Sequence, residues 1–124
     1  MTREHAPCTP RSRNGRDYFC SVELALMMIG GKWKPLILWG LGTRGTLRFG
    51  ELRRLLPAVT QKMLTQQLRE LESDGLVLRE AYPTLPPRVD YSLTERGRGL
   101  LPILESLSAW ARDVEAQDQP GRPD

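Results

Sequence analysis

Histidine occurs once in the 124 residues, at His5, and cysteine twice, at Cys8 and Cys20. A single histidine near a terminus argues against histidine-dependent catalysis. Two cysteines cannot build the multi-bridge framework of a secreted miniprotein. With His5 they offer three zinc ligands at a spacing that matches no common site, so no metal is expected. No nucleophile elbow, phosphate-binding glycine loop or other ligand cluster occurs, which leaves no basis for an enzyme or for a cofactor. Long apolar runs are also missing. The longest, Leu24 to Ile29 and Leu36 to Leu41, fall far short of a membrane span. The opening Met1-Thr2-Arg3-Glu4-His5 lacks the apolar segment of a secretory signal. These absences predict a cytoplasmic protein with no membrane partner.

What is present suits one domain. The length leaves little room for two, and a hydrophobic content of 40% is enough for a core. Internal repeats and low-complexity segments are lacking. Residues 1–18 carry Pro7, Pro10 and the basic set Arg3, Arg11, Arg13 and Arg16 without apolar periodicity, and read as a flexible basic arm. Residues 115–124, with two prolines and a glycine towards the end, read as a frayed tail. The domain is expected over residues 19–114.

Within it, Val22, Ala25, Leu26 and Ile29 mark one face of a helix from Ser21 to Ile29 that Gly30-Gly31 stops. A second helix runs from Trp33 to Leu41, with Pro35 tolerated in its first turn. A very short strand fits Thr46 to Phe49, and a short helix Glu51 to Leu56 ends at Pro57. The best-marked helix spans Thr60 to Asp74, with Thr60 as N-cap, Gly75 just past its end and Leu64, Leu68 and Leu71 as the buried stripe. The period then changes to two over Leu76–Ala81 and Val89–Leu93, two strands around a loop with three prolines. Thr94 caps a last helix to about Val114, which Pro102 bends or truly begins. Two helices joined by Pro57-Ala58-Val59 and followed at once by a β-hairpin describe a mainly α fold, a winged helix-turn-helix.

On the capped helix, Lys62, Thr65, Gln66, Arg69 and Ser73 cluster opposite the leucines, with Gln61 at the edge. Amides suit adenine, cations suit guanine and the threonine methyl can touch thymine. Any surface helix needs a solvated face, but residues 61–69 of this one hold no acid, while Glu70, Glu72 and Asp74 gather at the far end. The net charge of +3 is too small to imply a polyanion partner, so distribution decides. Between Lys32 and Arg88 bases outnumber acids ten to five, which places the positive charge on the reading unit. Arg88 sits at the hairpin loop, where a wing reaches phosphates or the minor groove, and Arg48 completes the predicted DNA-binding set.

Six motifs then occur in order: Cys20-Ser21-Val22-Glu23, Gly30-Gly31-Lys32-Trp33-Lys34, Arg48-Phe49-Gly50-Glu51-Leu52, Lys62 to Leu71, Asp74-Gly75-Leu76-Val77 and Pro87 to Thr94. On these motifs the chain, from Cys20 to about Arg112, resembles the HxlR-type winged-helix transcriptional regulators of bacteria and archaea, relatives of the MarR group. Gly50 stands where that family often has serine as a cap, and the arm before Cys20 is longer than usual and carries Cys8, which the family pattern lacks. The resemblance implies a homodimer on a pseudo-palindromic double-stranded DNA operator, read by the capped helix and flanked by the hairpin as wing. A repressor is the expected role.

The last helix has more apolar surface than one small core needs. Leu100, Ile103, Leu104, Leu107 and Trp110 are expected at a dimer interface shared with the first helix. Cys20 immediately precedes a helix start, where N–H groups and the helix dipole favour the thiolate. Some members of the resembled family sense oxidants or electrophiles such as quinones there. Cys20 is therefore expected to be a redox or electrophile sensor, paired with Cys8 or with a cysteine of a second subunit, or alkylated; an inert cysteine at the dimer seam is the alternative. Trp33 and Trp39 could instead line a pocket for a small aromatic effector, and a protein-interaction module without DNA binding is the remaining reading.

Overall fold

A computed structural model describes residues 8–119. His5, Arg3 and Pro7 of the arm and residues 120–124 of the tail lie outside the described residues. The elements follow in the order β1 (Arg11–Arg13), β2 (Arg16–Tyr18), α1 (Ser21–Ile29), α2 (Trp33–Arg44), β3 (Leu47–Arg48), α3 (Phe49–Leu55), α4 (Gln61–Ser73), β4 (Val77–Tyr82), β5 (Arg88–Leu93), α5 (Glu95–Arg98) and α6 (Leu101–Gln117). α3 and α4 are the helix-turn-helix, linked through buried Val59. β4 and β5 are the wing, and β3 pairs on the other side of β5, giving the antiparallel order β3-β5-β4. The register sets Leu47 opposite Tyr91 and Val77 opposite Leu93, so all four side chains turn into the core.

α2 runs through the middle of the molecule. Its Ile37, Leu38 and Leu41 meet Leu64, Leu68 and Leu71 of α4, Leu52 of α3 and Leu104 of α6 in one buried cluster. Each such side chain withdraws apolar surface worth about 1.5–3 kcal/mol from water. α1 contributes no buried residue.

Three expectations are corrected here. Residues 11–18 of the arm form an antiparallel hairpin rather than an unstructured segment. Asn14 and Gly15 both take positive φ (52° and 75°), as a two-residue type I′ turn requires. A two-stranded ribbon is marginal in water, but this one is held from outside: Cys8 and Cys20 are joined by a disulfide, and Arg13 and Arg16 reach Asp74. The last helix is split. Thr94 Oγ1 accepts from Gly97 N at 3.1 Å and caps only α5. Pro102 lies in the first turn of α6, where its missing N–H costs nothing, and α6 continues past Val114. Leu104, expected at a dimer interface, is 6% exposed and belongs to the core of its own chain. It lies on the side of α6 that packs on α2, so the outward stripe is narrower than the apolar count suggested.

Candidate nucleic-acid interface

α4 is fixed at both ends by its own sequence. Thr60 Oγ1 accepts from Met63 N at 3.1 Å. At the other end Leu76 N donates to Leu71 O and Gly75 N to Glu72 O, with Gly75 at φ 75°, the Schellman arrangement that glycine permits. Between these ends the leucine stripe faces the core. On the opposite side Gln61, Lys62, Thr65, Gln66 and Arg69 together line one shallow open groove. Thr65 Oγ1 donates to Gln61 O at 2.8 Å, so its hydroxyl proton is committed. Among the described residues, the side chains of Gln61, Lys62, Gln66 and Arg69 make no hydrogen bond or ion pair.

Of the three acids at the far end of α4, Glu70 and Asp74 have side-chain partners. Lys34 Nζ, buried on α2, donates to Glu70 Oε1 at 2.7 Å. The Asp74 carboxylate, buried at the C-cap, receives Arg13 Nη1 at 3.0 Å and Arg16 Nη2 at 3.3 Å. Arg96 Nη1 donates to Asp74 O at 3.1 Å. These carboxylates tie α4 to α2, to the N-terminal hairpin and to α5, and take no part in the groove.

The wing carries its own charge network. Arg88 is the first residue of β5 rather than a loop arginine. Its Nε and Nη2 grip Asp90 Oδ1 and Oδ2 at 3.0 and 2.8 Å, and its guanidinium lies 5.1 Å from the centre of the Tyr82 ring. The Arg88 hydrogen bond holds the Asp90 carboxyl below the usual carboxylate range, against its partial desolvation and with help from the charges of Arg88 and Arg48. The same bond raises Arg88 further above its ordinary value. The Tyr82 hydroxyl donates to Glu80 Oε2 at 3.1 Å, which raises the phenol. Arg48 and Arg88 come together at a polar cleft between α3 and the wing, and Arg54 of α3 joins them. Sequence reasoning does not single out Arg54; only the fold brings this exposed arginine to the cleft beside the wing.

The remaining expected residues separate. Leu100 is half-buried against the core. Ile103, Leu107 and Trp110 stand out from α6 at 53%, 54% and 68% exposure, and Val22 and Leu26 of α1 are also exposed. Trp33 packs against the core with Lys32 Nζ 4.8 Å above its ring, and Trp39 is at the surface. Cys20, half-buried at the N-cap of α1, is bonded to Cys8 of the same chain, with their Cα atoms 4.7 Å apart.

A helix-turn-helix whose second helix offers a basic, amide-bearing face beside a β-hairpin wing defines a winged-helix transcriptional regulator. The chain belongs to the HxlR-like helix-turn-helix family, whose model matches residues 28–119. It is 56% identical over 95 residues to the HTH-type transcriptional regulator YtcD of Bacillus subtilis, covering 77% of this chain and 75% of that one. Among solved structures, the redox regulator HypR in its oxidised form is 51% identical with a TM-score of 0.71, over 76% of this chain and 96% of that one. The reduced form of the transcriptional regulator YodB from B. subtilis is 36% identical with a TM-score of 0.65, over 74% and 90%. The family and these relatives are regulators rather than enzymes, and a helix-turn-helix regulator binds DNA. Among the described residues no helix is long and apolar enough to cross a membrane.

Proposed function

We propose that this chain is a homodimeric repressor that reads a pseudo-palindromic operator through α4 and is switched by thiol chemistry at Cys20 and Cys8. The observation that carries the reading is the groove of Gln61, Lys62, Thr65, Gln66 and Arg69, free of acids and with the side chains of Gln61, Lys62, Gln66 and Arg69 unpaired among the described residues, on a helix backed by leucines. Arg48, Arg54 and Arg88 lie where a phosphate strand beside the wing would pass. The apolar faces of α1 (Val22, Leu26) and α6 (Ile103, Leu107, Trp110) form the subunit contact, and a two-fold pairing through them presents two reading helices to successive major grooves. The similar proteins HypR and YodB support the redox part, since HypR is described as a redox regulator and YodB is known in a reduced form.

The test is operator binding by fluorescence anisotropy across a salt series. Affinity falls steeply with salt when phosphates are engaged. Arg69→Ala and Gln66→Ala each cost roughly 1–3 kcal/mol and relax base preference. Intact operator affinity in both variants refutes the reading face. A promoter fusion that falls silent when the protein is supplied identifies a repressor, and one that rises identifies an activator. Diamide or quinone treatment that leaves operator affinity unchanged removes the redox switch.

A further inference from the structure

We infer that the Cys8–Cys20 disulfide acts on the reading helix through the β1–β2 hairpin, which it keeps seated on Asp74 at the C-terminal end of α4. The inference rests on the redox part of the proposed function and supplies its route. The ring closed by Cys8 and Cys20 contains the whole hairpin. The hairpin in turn places two guanidinium groups, Arg13 and Arg16, on a single carboxylate whose side chain is 4% exposed. Asp74 is the C-cap of α4: its N–H donates to Glu70 O and its carbonyl accepts from Arg96. The carboxylate thus sits where the reading helix hands over to the wing.

A ribbon of three-residue strands does not persist alone. Closing the ring restricts the chain on both sides of the turn and raises the effective concentration of both arginines at Asp74. Opening the ring frees the ribbon to leave. A buried carboxylate then loses both cations, and that end of α4 keeps Lys34–Glu70, Arg96 and the Thr94 bond to Gly75 O as its polar ties. Arg13 also walls the apolar cleft between α1 and the α5–α6 link, bordered by Leu24, Met28, Ile29, Leu76 and Leu100, so its departure uncovers that cleft. The reading groove runs from Gln61 to Arg69 and no hairpin residue lines it, so the closed ring steadies the groove without blocking it.

The chemistry balances. A dithiol reductant attacks one sulfur as its thiolate, forms a mixed disulfide and leaves as a cyclic disulfide; its two electrons and two protons end on Cys8 and Cys20 as two thiols. A diazene oxidant such as diamide takes two electrons and two protons from the thiols, becomes the hydrazine and restores the S–S bond.

The experiment uses the full chain, oxidised with diamide or reduced with a dithiol, as wild type and as the double variant R13Q/R16Q. Both substituted side chains lie outside the core, glutamine keeps an N–H donor at each position, and circular dichroism of the variant against wild type checks the fold before binding is measured. In wild type, trypsin cuts after Arg13 and Arg16 about tenfold more slowly in the oxidised form, because a seated ribbon must first detach. Oxidised wild type binds the operator about fivefold more tightly than reduced, the scale expected of modest coupling between sites. In R13Q/R16Q the difference falls below about twofold, although mass spectrometry finds the disulfide formed. Equal trypsin rates in the two wild-type forms overturn the inference, as does a redox response that survives intact in R13Q/R16Q while the redox reading itself stands. A wild-type operator affinity indifferent to redox state removes that reading and the inference with it.

Discussion

The ion pair between Lys34 and Glu70 is unequal, and the inequality can be measured. The lysine side chain is 7% exposed and the glutamate 42%, with Nζ and Oε1 at 2.7 Å. Truncating the glutamate strands an ammonium in the protein interior, whereas removing the lysine charge leaves a carboxylate that already reaches water. Breaking a fully buried pair costs about 3–5 kcal/mol; with one partner solvated, about 2 kcal/mol is expected for Glu70→Ala. Lys34→Met keeps most of the buried stem and removes the charge, for a cost under about 1 kcal/mol. With a urea m-value of about 1.5 kcal/mol/M, the midpoint falls by about 1.3 M for Glu70→Ala and by less than about 0.7 M for Lys34→Met. Glu70→Gln keeps an acceptor oxygen for the ammonium and falls between them. The measurement is urea unfolding followed by tryptophan fluorescence at one fixed protein concentration, because self-association moves the midpoint. Equal shifts, or a larger shift for Lys34→Met, refute the argument that desolvation of the lysine dominates this contact.

Four further outcomes follow from the structure. Asp90 has its carboxyl lowered in the folded chain, so its contribution is complete above the ordinary carboxylate value of 3.8 and is lost as pH falls through the lower folded value; NMR titration should find its midpoint below 3.8, and Arg88→Ala should raise it. The same Arg88→Ala change should weaken binding to all DNA sequences alike and reduce the salt slope by about one, and a selective loss on the operator alone would contradict a phosphate role. Gly97→Ala would place a Cβ 2.2 Å from Leu76 O, a clash with backbone rather than with a movable side chain, and thermal unfolding should show a loss of about 1–3 kcal/mol. On α6, Leu104→Ala should cost about 2–5 kcal/mol of stability, whereas Ile103→Glu should leave the fold intact and yield monomers in sedimentation velocity; a dimer that survives Ile103→Glu would place the subunit contact elsewhere.

The parts legible in the sequence were those governed by short-range rules. Thr60 and Gly75 bracket α4 because a hydroxyl cap and a left-handed glycine act within a few residues. Lys62, Thr65, Gln66 and Arg69 fall together because helical spacing alone puts them on one side. The N-terminal hairpin was missed, although Asn14-Gly15 is a strong local turn signal. Its strands are polar, basic and short, and they owe their order to Asp74, 58 residues beyond Arg16 in the chain. Leu104 and Ile103 are neighbours in sequence and equally apolar, yet one faces α2 and the other solvent; the break between α5 and α6 at Gly99 and Leu100 sets the rotation of the helix, and periodicity cannot fix that phase. Arg88 likewise reads as a free loop cation until the β4–β5 register shows Asp90 beneath it.

The division of charge along α4 has a mechanical consequence. From Gln61 to Arg69 its outward face holds no acid, and among the described residues the side chains of Gln61, Lys62, Gln66 and Arg69 have no partner. Its second half is held by Lys34 on α2, Arg96 on α5 and two arginines from the N-terminal hairpin. Two of the three acids gathered at the far end, Glu70 and Asp74, are therefore anchors. Reading and anchoring are separated by polarity on a single helix, so a change at the anchored end alters the angle or rigidity of the reading end without touching a residue that meets DNA. Of the three ties, α2 and α5 belong to the closely packed body, whereas the hairpin is seated through two surface arginines on a ribbon too short to stand alone. It is the tie that can be released at least cost to the core, and the bond that closes its loop is the one covalent link in the described chain that a change of redox state can open.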